Sequence, residues 1–429
     1  MNKKVIFIAV TIFLTSVISI IAYEPPEVIV IGPSFHEQNY FEDELNLISE
    51  KLGIKIKYLA TQDPETFIVE NPNNPSSIAI IPNAQGVINL AERKLIHDLN
   101  DIYIDNNLIS ETYSNHLTSI VSYDEKVFAG WIRLFPNSLI WYDVSKIEQY
   151  DIDFNNFDNL IKQTKKIANE GISPWCANSE SSSSTGWIQT NWLEDVLLSK
   201  YGPEIYDRWA RLEIDISNVK LYSSIKVLED YIFHENHIYG GFQAINNSEF
   251  RNLPEILLND DNECFLSWSG HYFRYYIPDD YQYRIDFDVV SFPKINLDNT
   301  VVGIGDNIVL TRDDNISKQV ISEILSKNFG EMWSSNFDSE YISANKNFDE
   351  SKINNELTKY EYFITHKALR EDLFRYDASE LMPRPIGSDK LWKFFQSYIY
   401  VGPEGLVELL NNLDKNFESV IDSPVSGSK

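Results

Sequence analysis

The stretch EVIVIGPSFHEQNYFEDELNLISEKLGIKIKY, residues 27–58, decides the fold class. Its first part, Glu27 to Ile31, is apolar and rich in β-branched residues, which is typical of a buried strand. Apolar residues then recur with helical spacing from Phe41 to Leu52. From Ile54 to Tyr58 they alternate with polar residues, as in a half-buried strand. The order predicts a β-α-β unit.

The same alternation of strand and helix patterns continues downstream. Ser77 to Ile81 predicts another buried strand, which Pro82 and Asn83 end, and Gly86 to Arg93 predicts the next helix. Strands that alternate with helices indicate α/β architecture around a parallel sheet.

The rest of the chain indicates a second lobe, because about 400 residues exceed a single hydrophobic core. Two apolar runs between Val127 and Trp141 precede helical patterns at Phe157–Ala168 and Val219–His234. Strand patterns at Phe287–Phe292 and Val301–Leu310 then indicate a return to the first lobe. Discontinuous lobes of this kind enclose a cleft.

The N-terminus predicts export. A basic start is followed by an apolar run from Val5 to Ala22, which is typical of a secretory signal and is also long enough for an uncleaved membrane anchor. We therefore expect a periplasmic protein. The predicted division is a signal peptide in 1–22, lobe 1 in 23–140 plus 296–340, and a helix-rich lobe 2 in 141–295 plus 341–429.

The net charge and the few cysteines and histidines limit which partners, bonds and metal sites the chain is expected to have. The formal net charge of −28 argues against nucleic acid or an anionic membrane as a partner. Export places the two cysteines, Cys176 and Cys264, in an oxidising compartment, so a disulfide between them is expected, with two buried free thiols as the alternative. The close histidines His234 and His237 lack nearby thiols, so no metal site and no cofactor are predicted.

The segment PWCANSESSSSTGWIQTNWLEDVLL, residues 174–198, suggests sugar binding. The indoles of Trp187 and Trp192 offer apolar faces to a pyranose, and nearby polar side chains can accept hydrogen bonds from ring hydroxyls. These polar candidates are Asn191, Glu194 and Asp195. The alternative is a helix that begins at an N-cap of Thr190 or Asn191, with both tryptophans in the core.

That segment, together with several others in the same order, resembles the extracytoplasmic solute-binding proteins of carbohydrate ABC importers, especially the alpha-glucoside-binding branch. The other matching segments are IIPNAQGVINLA (80–91), SLIWYD (138–143), YGG (239–241), GIGDNIVL (303–310) and FRYDASELMP (374–383). The sequence departs from the branch at Ile304, in the serines of 181–184, and at 267–270. The resemblance implies a type II periplasmic-binding-protein-like fold, a sugar or glycoside ligand held between two α/β lobes, and membrane permease subunits as partners.

Ligands of open α/β sheets lie beyond the carboxyl ends of strands, which focuses attention on a few loops and crossing segments. The predicted ligand-binding residues are Ser34, Trp131, Arg133, Tyr142, Trp187, Asn191, Trp192, Asp195, Trp268, Asp306, Arg375 and Asp377. Asp306 is interpreted as an acceptor of sugar hydroxyls, whereas Gly303 and Gly305 are assigned to close backbone approach. Arg133 is expected to contact ligand or pair with Asp377.

Several of these residues keep a structural alternative. Trp131 and Tyr142 suit the cleft wall or the core equally, and Arg375 suits a ligand contact or an inter-lobe salt bridge. The expected protein is a monomer and not an enzyme, and it binds a neutral glycoside or oligosaccharide, since no cationic cluster marks the motifs. A secreted glycoside hydrolase is the alternative, although adjacent helical acids such as Glu194 and Asp195 project about 100 degrees apart and do not converge on one bond.

Overall fold

The computed structural model describes residues 25–421, apart from 72, 74, 106–111, 180–185, 216–217, 248 and 262. The predicted signal segment, residues 1–22, lies outside the described residues. Within the part of the chain that is described, no helix is long and apolar enough to cross a membrane.

The strands and helices alternate early in the chain, and helices dominate later. The strands are β1 (Glu27–Gly32), β2 (Lys55–Ala60), β3 (Ile78–Ile81), β4 (Ser122–Tyr123), β5 (Lys126–Val127), β6 (Ala129–Pro136), β7 (Leu139–Asp143), β8 (Leu266–Trp268), β9 (Phe287–Ser291), β10 (Val301–Leu310) and β11 (Phe374–Tyr376). The α-helices are α1 (Gln38–Leu52), α2 (Pro64–Glu70), α3 (Ala84–Glu92), α4 (Asn100–Asp105), α5 (Asn115–Ser119), α6 (Val144–Ile147), α7 (Phe157–Asn169), α8 (Trp187–Tyr201), α9 (Pro203–Ala210), α10 (Val219–Ile232), α11 (Ala244–Asn247), α12 (Leu253–Leu258), α13 (Asn315–Ile324), α14 (Glu331–Ser334), α15 (Glu356–Arg370), α16 (Ala378–Leu381), α17 (Trp392–Val401) and α18 (Leu406–Ile421). Single turns of 3-10 helix lie at Phe250–Asn252, His271–Tyr276, Glu350–Lys352 and Pro403–Gly405, and a π-helical turn covers Pro385–Leu391.

The main sheet has the strand order β11-β10-β3-β1-β2, and β6 also pairs with β10. The β-α-β opening is confirmed, since β1 pairs in parallel with β2 and β3. The purely parallel sheet is wrong, because β10 runs antiparallel to both β3 and β6. The chain enters β10 from the second lobe, at the edge of the sheet where β3 ends, so this strand has to run in the opposite direction.

Two hydrophobic cores define the lobes. The first lies on both faces of the main sheet and includes Val30, Leu45, Ile80 and Ile308, all buried. The second is mainly helical and is formed by residues of α7 to α10 and of α17 and α18. The antiparallel sheet β8-β7-β9 covers part of this second lobe and has its own small cluster around Trp141. Both lobes are mixed α/β structures, which confirms the predicted fold class.

The predicted lobe boundary near residue 341 needs correction. The sequence-based division places 341–429 in lobe 2, but Tyr341, Tyr362 and Tyr376 pack in the first core. Leu357 and Ile364 of α15 pack instead in the small cluster around Trp141, and the chain joins the second core at Ala378. The reason is that α15 and β11 still cover and extend the main sheet, since β11 pairs in parallel with β10.

Crossing segments between the lobes lie side by side. The backbone N–H of Asn137 donates to the carbonyl of Val302 at 2.8 Å, and the N–H of Asp377 donates to the carbonyl of Gly303 at 2.9 Å. The link from β6 to β7, the start of β10 and the link from β11 to α16 therefore form one hydrogen-bonded hinge. Such a hinge positions both walls of the cleft between the lobes.

The expected disulfide is present. Cys176 and Cys264 are bonded, with Cα atoms 5.4 Å apart and a sequence separation of 88 residues. The bond joins the segment after Trp175 to the strand that leads into Trp268, and both cysteines are buried. The alternative of two free thiols is therefore wrong for this structure.

Replacing both cysteines with serine should lower the free energy of unfolding by about 4 to 5 kcal/mol, because the closed loop restricts the unfolded chain. Chemical denaturation of the oxidised wild type and the double variant measures the difference. A loss below about 1 kcal/mol would show that the loop constraint contributes little to stability.

Candidate ligand-binding cleft

A cavity of about 460 Å³ lies between the two lobes. Residues 62–66 and 82–89 line it from the first lobe, and residues 379–392 line it from the second. The first-lobe segments follow β2 and β3, so the cavity lies beyond the carboxyl ends of parallel strands, where α/β sheets bind ligands. Its size falls in the range of small-molecule sites.

The first-lobe wall is formed by two helix starts. The carboxylate of Asp63 accepts hydrogen bonds from the backbone N–H and the hydroxyl of Thr66, at 2.9 and 2.7 Å. The side chain of Asn83 caps the next helix in the same way, accepting from the N–H of Gly86 at 2.6 Å. Glu65 accepts from the side-chain amide of Asn89 at 3.0 Å and so connects the two helices. These bonds fix polar side chains along one wall.

The buried carboxylate of Glu194 binds the backbone of the segment that forms the second-lobe wall. Glu194 accepts hydrogen bonds from the backbone N–H groups of Ala378 and Ser379, at 3.0 and 3.2 Å, and from the hydroxyl of Tyr206 at 2.8 Å. Asp377 caps the same short helix by accepting from the N–H of Glu380 at 3.2 Å. The helix α16 therefore presents Ser379 and Glu380 to the cavity.

An indole also lines the second-lobe wall. Trp392 is half-buried, and its Nε1 donates to the hydroxyl of Ser379 at 3.1 Å. Gly186 packs on the carbonyl of Trp392 so closely that a Cβ there would lie 1.9 Å from the oxygen. With φ at 104°, Gly186 also adopts a backbone conformation that favours glycine. The contact brings the start of α8, with Trp187, against Trp392.

Trp187 is half-buried and belongs to an aromatic group at the same end of the second lobe. Its ring contacts Tyr272 at 4.7 Å and Phe250 at 5.6 Å between centroids, both edge-to-face. Tyr272 follows Trp268 along the chain, so the loop after β8 packs against Trp187. Trp187 is therefore packed between these rings, next to the contact of Gly186 with the backbone of Trp392.

Arg133 and Asp306 form an ion pair at the first-lobe side of the hinge. Arg133 Nε donates to Asp306 Oδ2 at 2.6 Å, and the guanidinium lies over the ring of Phe35 at 4.4 Å. The sequence predicts that Asp306 accepts sugar hydroxyls and that Arg133 contacts ligand or pairs with Asp377. In the structure Arg133 pairs with Asp306 instead, its neighbour across the β6-β10 pairing. The pair joins β6 to β10, and neither residue lines the cavity described above.

The two glycines of β10 lie where its backbone comes close to carbonyl oxygens of β6. A Cβ on Gly303 would lie 2.6 Å from the carbonyl oxygen of Phe135, and one on Gly305 would lie 2.4 Å from that of Arg133. The assignment of both glycines to backbone geometry is confirmed.

The start of α8 differs from the prediction. The helix begins at Trp187 after Gly186, so Thr190 and Asn191 lie inside it and neither is its N-cap. Asn191 is buried, and its side-chain amide, oriented to satisfy its neighbours, donates to Asp377 at 2.8 Å and accepts from Asn137 at 3.1 Å. Asn191 and Asp377 thus satisfy each other rather than facing solvent.

Asp195, Trp192 and Trp268 pack in the interior. Asp195 accepts hydrogen bonds from the hydroxyl of Ser138 and from Trp268 Nε1, the latter at 2.8 Å. Trp192 stacks on Trp268 at 5.7 Å and donates to its carbonyl at 2.9 Å. Desolvation of its carboxyl raises the pKa of Asp195 to about 7, although both hydrogen bonds oppose the shift. Protein partners satisfy all three side chains, which favours the packing alternative, and their ligand roles stay predictions.

Trp131 and Tyr142 also fail to reach the cleft. Trp131 is buried in the first core, and its Nε1 donates to the carbonyl of Leu117 at 2.8 Å. Tyr142 is half-buried in the second lobe and stacks on Phe154 at 5.1 Å. These contacts favour the packing alternative for both, and their ligand roles stay predictions. Ser34 is exposed in the loop that follows β1, at the same sheet edge as Asn83.

Arg375 forms the inter-lobe salt bridge that was its alternative role. Its Nε donates to Asp207 of α9 at 2.7 Å, and its Nη1 donates to the carbonyls of Asp372 and Phe374 at 2.9 and 2.8 Å. Arg375 and Asp207 line a second cavity, of about 710 Å³, on the other side of the contact between α3 and α16. The arginine therefore joins the lobes away from the proposed ligand cavity.

Sequence reasoning missed Asp63, Glu65, Glu380 and Trp392. Asp63 stands before Pro64 and could have been recognised as an N-cap, and Glu380 and Trp392 lie in or just after the matching segment 374–383. Burial and the charge of Asp377 raise the pKa of Glu380 to about 7, against the lowering effect of Arg384. Among the described residues, no protein group donates a hydrogen bond to the Glu380 carboxyl.

Comparisons with known proteins agree with this geometry. The chain is 24% identical over 404 residues to the osmoprotective compounds-binding protein GgtB of Synechocystis, covering 91% of this chain and 92% of that protein. It is 24% identical over 409 residues to the alpha-glucosides-binding periplasmic protein AglE of Rhizobium meliloti, covering 91% and 87%. No family model matches the chain.

Solved structures show the same fold. The bacterial solute receptor AcbH superimposes with a TM-score of 0.75 at 12% identity, covering 92% of this chain and 99% of that one. RafE of Streptococcus pneumoniae gives 0.71 at 12% identity, covering 92% and 98%. The fold is the type II periplasmic-binding-protein fold of sugar receptors. The resemblance to the solute-binding proteins of carbohydrate ABC importers, stated from the sequence, is confirmed by these relatives, which match about nine-tenths of the chain.

Proposed function

We propose that this protein captures a neutral glycoside or oligosaccharide outside the cytoplasm and delivers it to the permease of an ABC importer. The observation that carries this proposal is the inter-lobe cavity, whose walls combine hydrogen-bonding side chains with the indole of Trp392. Sugars need both kinds of contact, because pyranoses have apolar faces and hydroxyl edges. GgtB and AglE are named for binding osmoprotective compounds and alpha-glucosides, which supports the same class of ligand here.

The mechanism is closure of the two lobes on the ligand. Contacts that form only when both walls meet the same molecule favour the closed state, and a ligand shifts the equilibrium only by that difference. Asp63 and Asn83 on one wall, and Ser379, Glu380 and Trp392 on the other, are the proposed contacts. Closure then signals occupancy to the permease. No bond in the sugar has to break.

The relatives give the hydrolase alternative no support, since GgtB and AglE are named as binding proteins. A glycosidase needs two carboxyl groups on either side of one bond, one of them free to give up a proton. Asp63 accepts hydrogen bonds from Thr66, and Glu65 accepts one from Asn89, which suits a binding surface. Glu380, on the opposite wall, has no protein donor among the described residues, and the assay for released reducing sugar tests it as an acid. We therefore assign no catalytic residue, and we place the protein in the periplasm as a monomer that acts without a cofactor.

A ligand panel tests the proposal. Mature protein, residues 23–429, should show a raised melting temperature with at least one of glucose, sucrose, trehalose, maltose and glucosylglycerol, since a ligand of the folded state stabilises it by about 2.7 kcal/mol at 100 times its Kd. Small-angle scattering with the best ligand should show a smaller radius of gyration. Release of reducing sugar on prolonged incubation would instead support the hydrolase.

Trp392→Ala should weaken binding of the panel's best sugar by roughly 1 to 3 kcal/mol, with little change in the melting temperature of the free protein, because the indole is half-buried in the cavity wall. Trp187→Ala should behave in the same way. The matched control is Trp209→Ala, whose indole is fully buried, and which should lower stability by about 3 to 5 kcal/mol. Isothermal titration and thermal unfolding separate the two effects. Unchanged affinity in both cleft variants would remove the indoles from the site.

Asp306→Asn should destabilise the free protein by about 3 kcal/mol, because it leaves the buried guanidinium of Arg133 without its charged partner. The control is Glu323→Gln, which breaks an exposed pair of the same length with Lys51 and should cost less than about 1 kcal/mol. Denaturant unfolding of both variants gives the comparison. Equal losses in the two variants would contradict a structural role for Asp306.

A further inference from the structure

We infer that the cleft selects its solute by charge, and that Glu380 beside Trp392 favours a glycoside carrying an ammonium group over its neutral counterpart and rejects a carboxylate. This inference rests on the proposed function, since it concerns the same cavity. It extends that function from neutral sugars to amino sugars. The absence of a cationic cluster argues against anionic ligands, but it does not argue against cationic ones.

Acidic side chains outnumber basic ones among the residues that line the cavity. Asp63, Glu65 and Glu380 face it, and Arg384 is the basic residue among its lining residues. Arg384 is exposed, and its charge acts on both Asp63 and Glu380. The whole chain adds a formal net charge of −28. The field at the cavity therefore attracts cations and opposes anions.

Glu380 differs from the other two acids in its hydrogen bonding. Asp63 is held by Thr66 and Glu65 by Asn89, so their oxygens are partly satisfied. The Glu380 carboxyl has no protein donor among the described residues, although it is half-buried. A carboxylate in this position gains most from a donor that the ligand brings, and a charged donor gives the stronger bond.

Trp392 supplies a second attraction for the same kind of group. Its Nε1 donates to Ser379, the residue before Glu380, so the indole and the carboxyl are neighbours on one wall. An ammonium group near the face of an indole is attracted by the ring. A carboxylate together with an aromatic face is a combination that recognises organic cations.

Protonation of Glu380 should control this preference. The charged groups that act on it are Asp377, which caps its helix, and Arg384 from the next segment, and the carboxyls of Asp63 and Glu65 line the opposite wall. Burial and Asp377 raise the pKa of Glu380 to about 7. Because only the carboxylate attracts an ammonium, the preference should be small below that pH and full above it.

The test uses four probes on one scaffold: methyl α-D-glucopyranoside, its 2-amino-2-deoxy and 6-amino-6-deoxy derivatives, and methyl α-D-glucuronoside. Dissociation constants come from NMR titration at pH 8, where Glu380 is ionised. We expect at least one amine to bind about tenfold more tightly than the neutral glucoside, and the glucuronoside to bind about tenfold more weakly. For the 6-amino probe, whose amine stays charged, the preference should shrink at pH 6, and for every charged probe it should shrink in high salt.

Glu380→Gln should abolish the preference, so that the dissociation constants of the amine and of the neutral glucoside come within about twofold of each other, because the amide keeps the shape and removes the charge. Glu404→Gln is the matched control, since it makes the same change of net charge at an exposed position of the same lobe. It should keep the preference.

Four outcomes distinguish a failure of charge selection from a failure of the proposed function. Binding of all four glucosides within twofold overturns charge selection and leaves the proposed function standing. A preference for the amine that survives in Glu380→Gln overturns the role of Glu380. Binding of an amine while the neutral glucoside, maltose and trehalose all fail to bind supports charge selection and overturns the proposed function. If none of these probes binds, both are overturned.

Discussion

The structure depends on how one helix holds the segments that cross between the lobes. Asp195 and Glu194 are neighbours on α8, and they point to different crossings. Asp195 accepts from the hydroxyl of Ser138, which in turn accepts from the N–H of Val302 at 2.7 Å. Glu194 accepts from the N–H groups of Ala378 and Ser379. Two buried carboxylates thus connect the second lobe to the segments that carry the chain out of and back into the first.

This arrangement explains why adjacent acids occur in an otherwise apolar helix. Buried carboxyl groups lose hydration, and burial raises the pKa of both Glu194 and Asp195. Each recovers part of that cost from protein donors, including an indole, a phenol and backbone N–H groups. Because adjacent helical positions diverge, one helix can hold two crossings at once. The same divergence that excludes a catalytic pair makes them suitable for the hinge.

Much of the fold could be predicted from the sequence, because its signals are local. The alternation at Ile54–Tyr58 and the helical spacing at Phe41–Leu52 need no distant partner, and both elements are found within three residues of their predicted ends. The antiparallel direction of β10 was not predicted, and residues 341–376 pack in clusters of both lobes; both features depend on where the chain returns after the second lobe. No local pattern records that path.

The candidate site was harder to predict than the fold, because Trp192 looked like a ligand contact and packs inside, whereas Glu380 was not singled out and lines the cavity. A sequence shows which side chains can bind a sugar, but it does not show which of them the protein already satisfies. Trp192, Asp195 and Asp377 have the right chemistry, yet Trp268, Ser138 and Ser379 use it internally.

Recognition of a solute falls to the polar groups that the fold leaves without a partner. Within the described part of the chain Glu380 is such a group, because its neighbour Ser379 and the cap from Asp377 fix its backbone without engaging its carboxyl. An acid that is held by its backbone, and is free at its side chain, can exchange water for a ligand with little rearrangement of the protein. The hinge therefore needs carboxylates with all their donors supplied, and the cleft needs one whose donor arrives with the ligand.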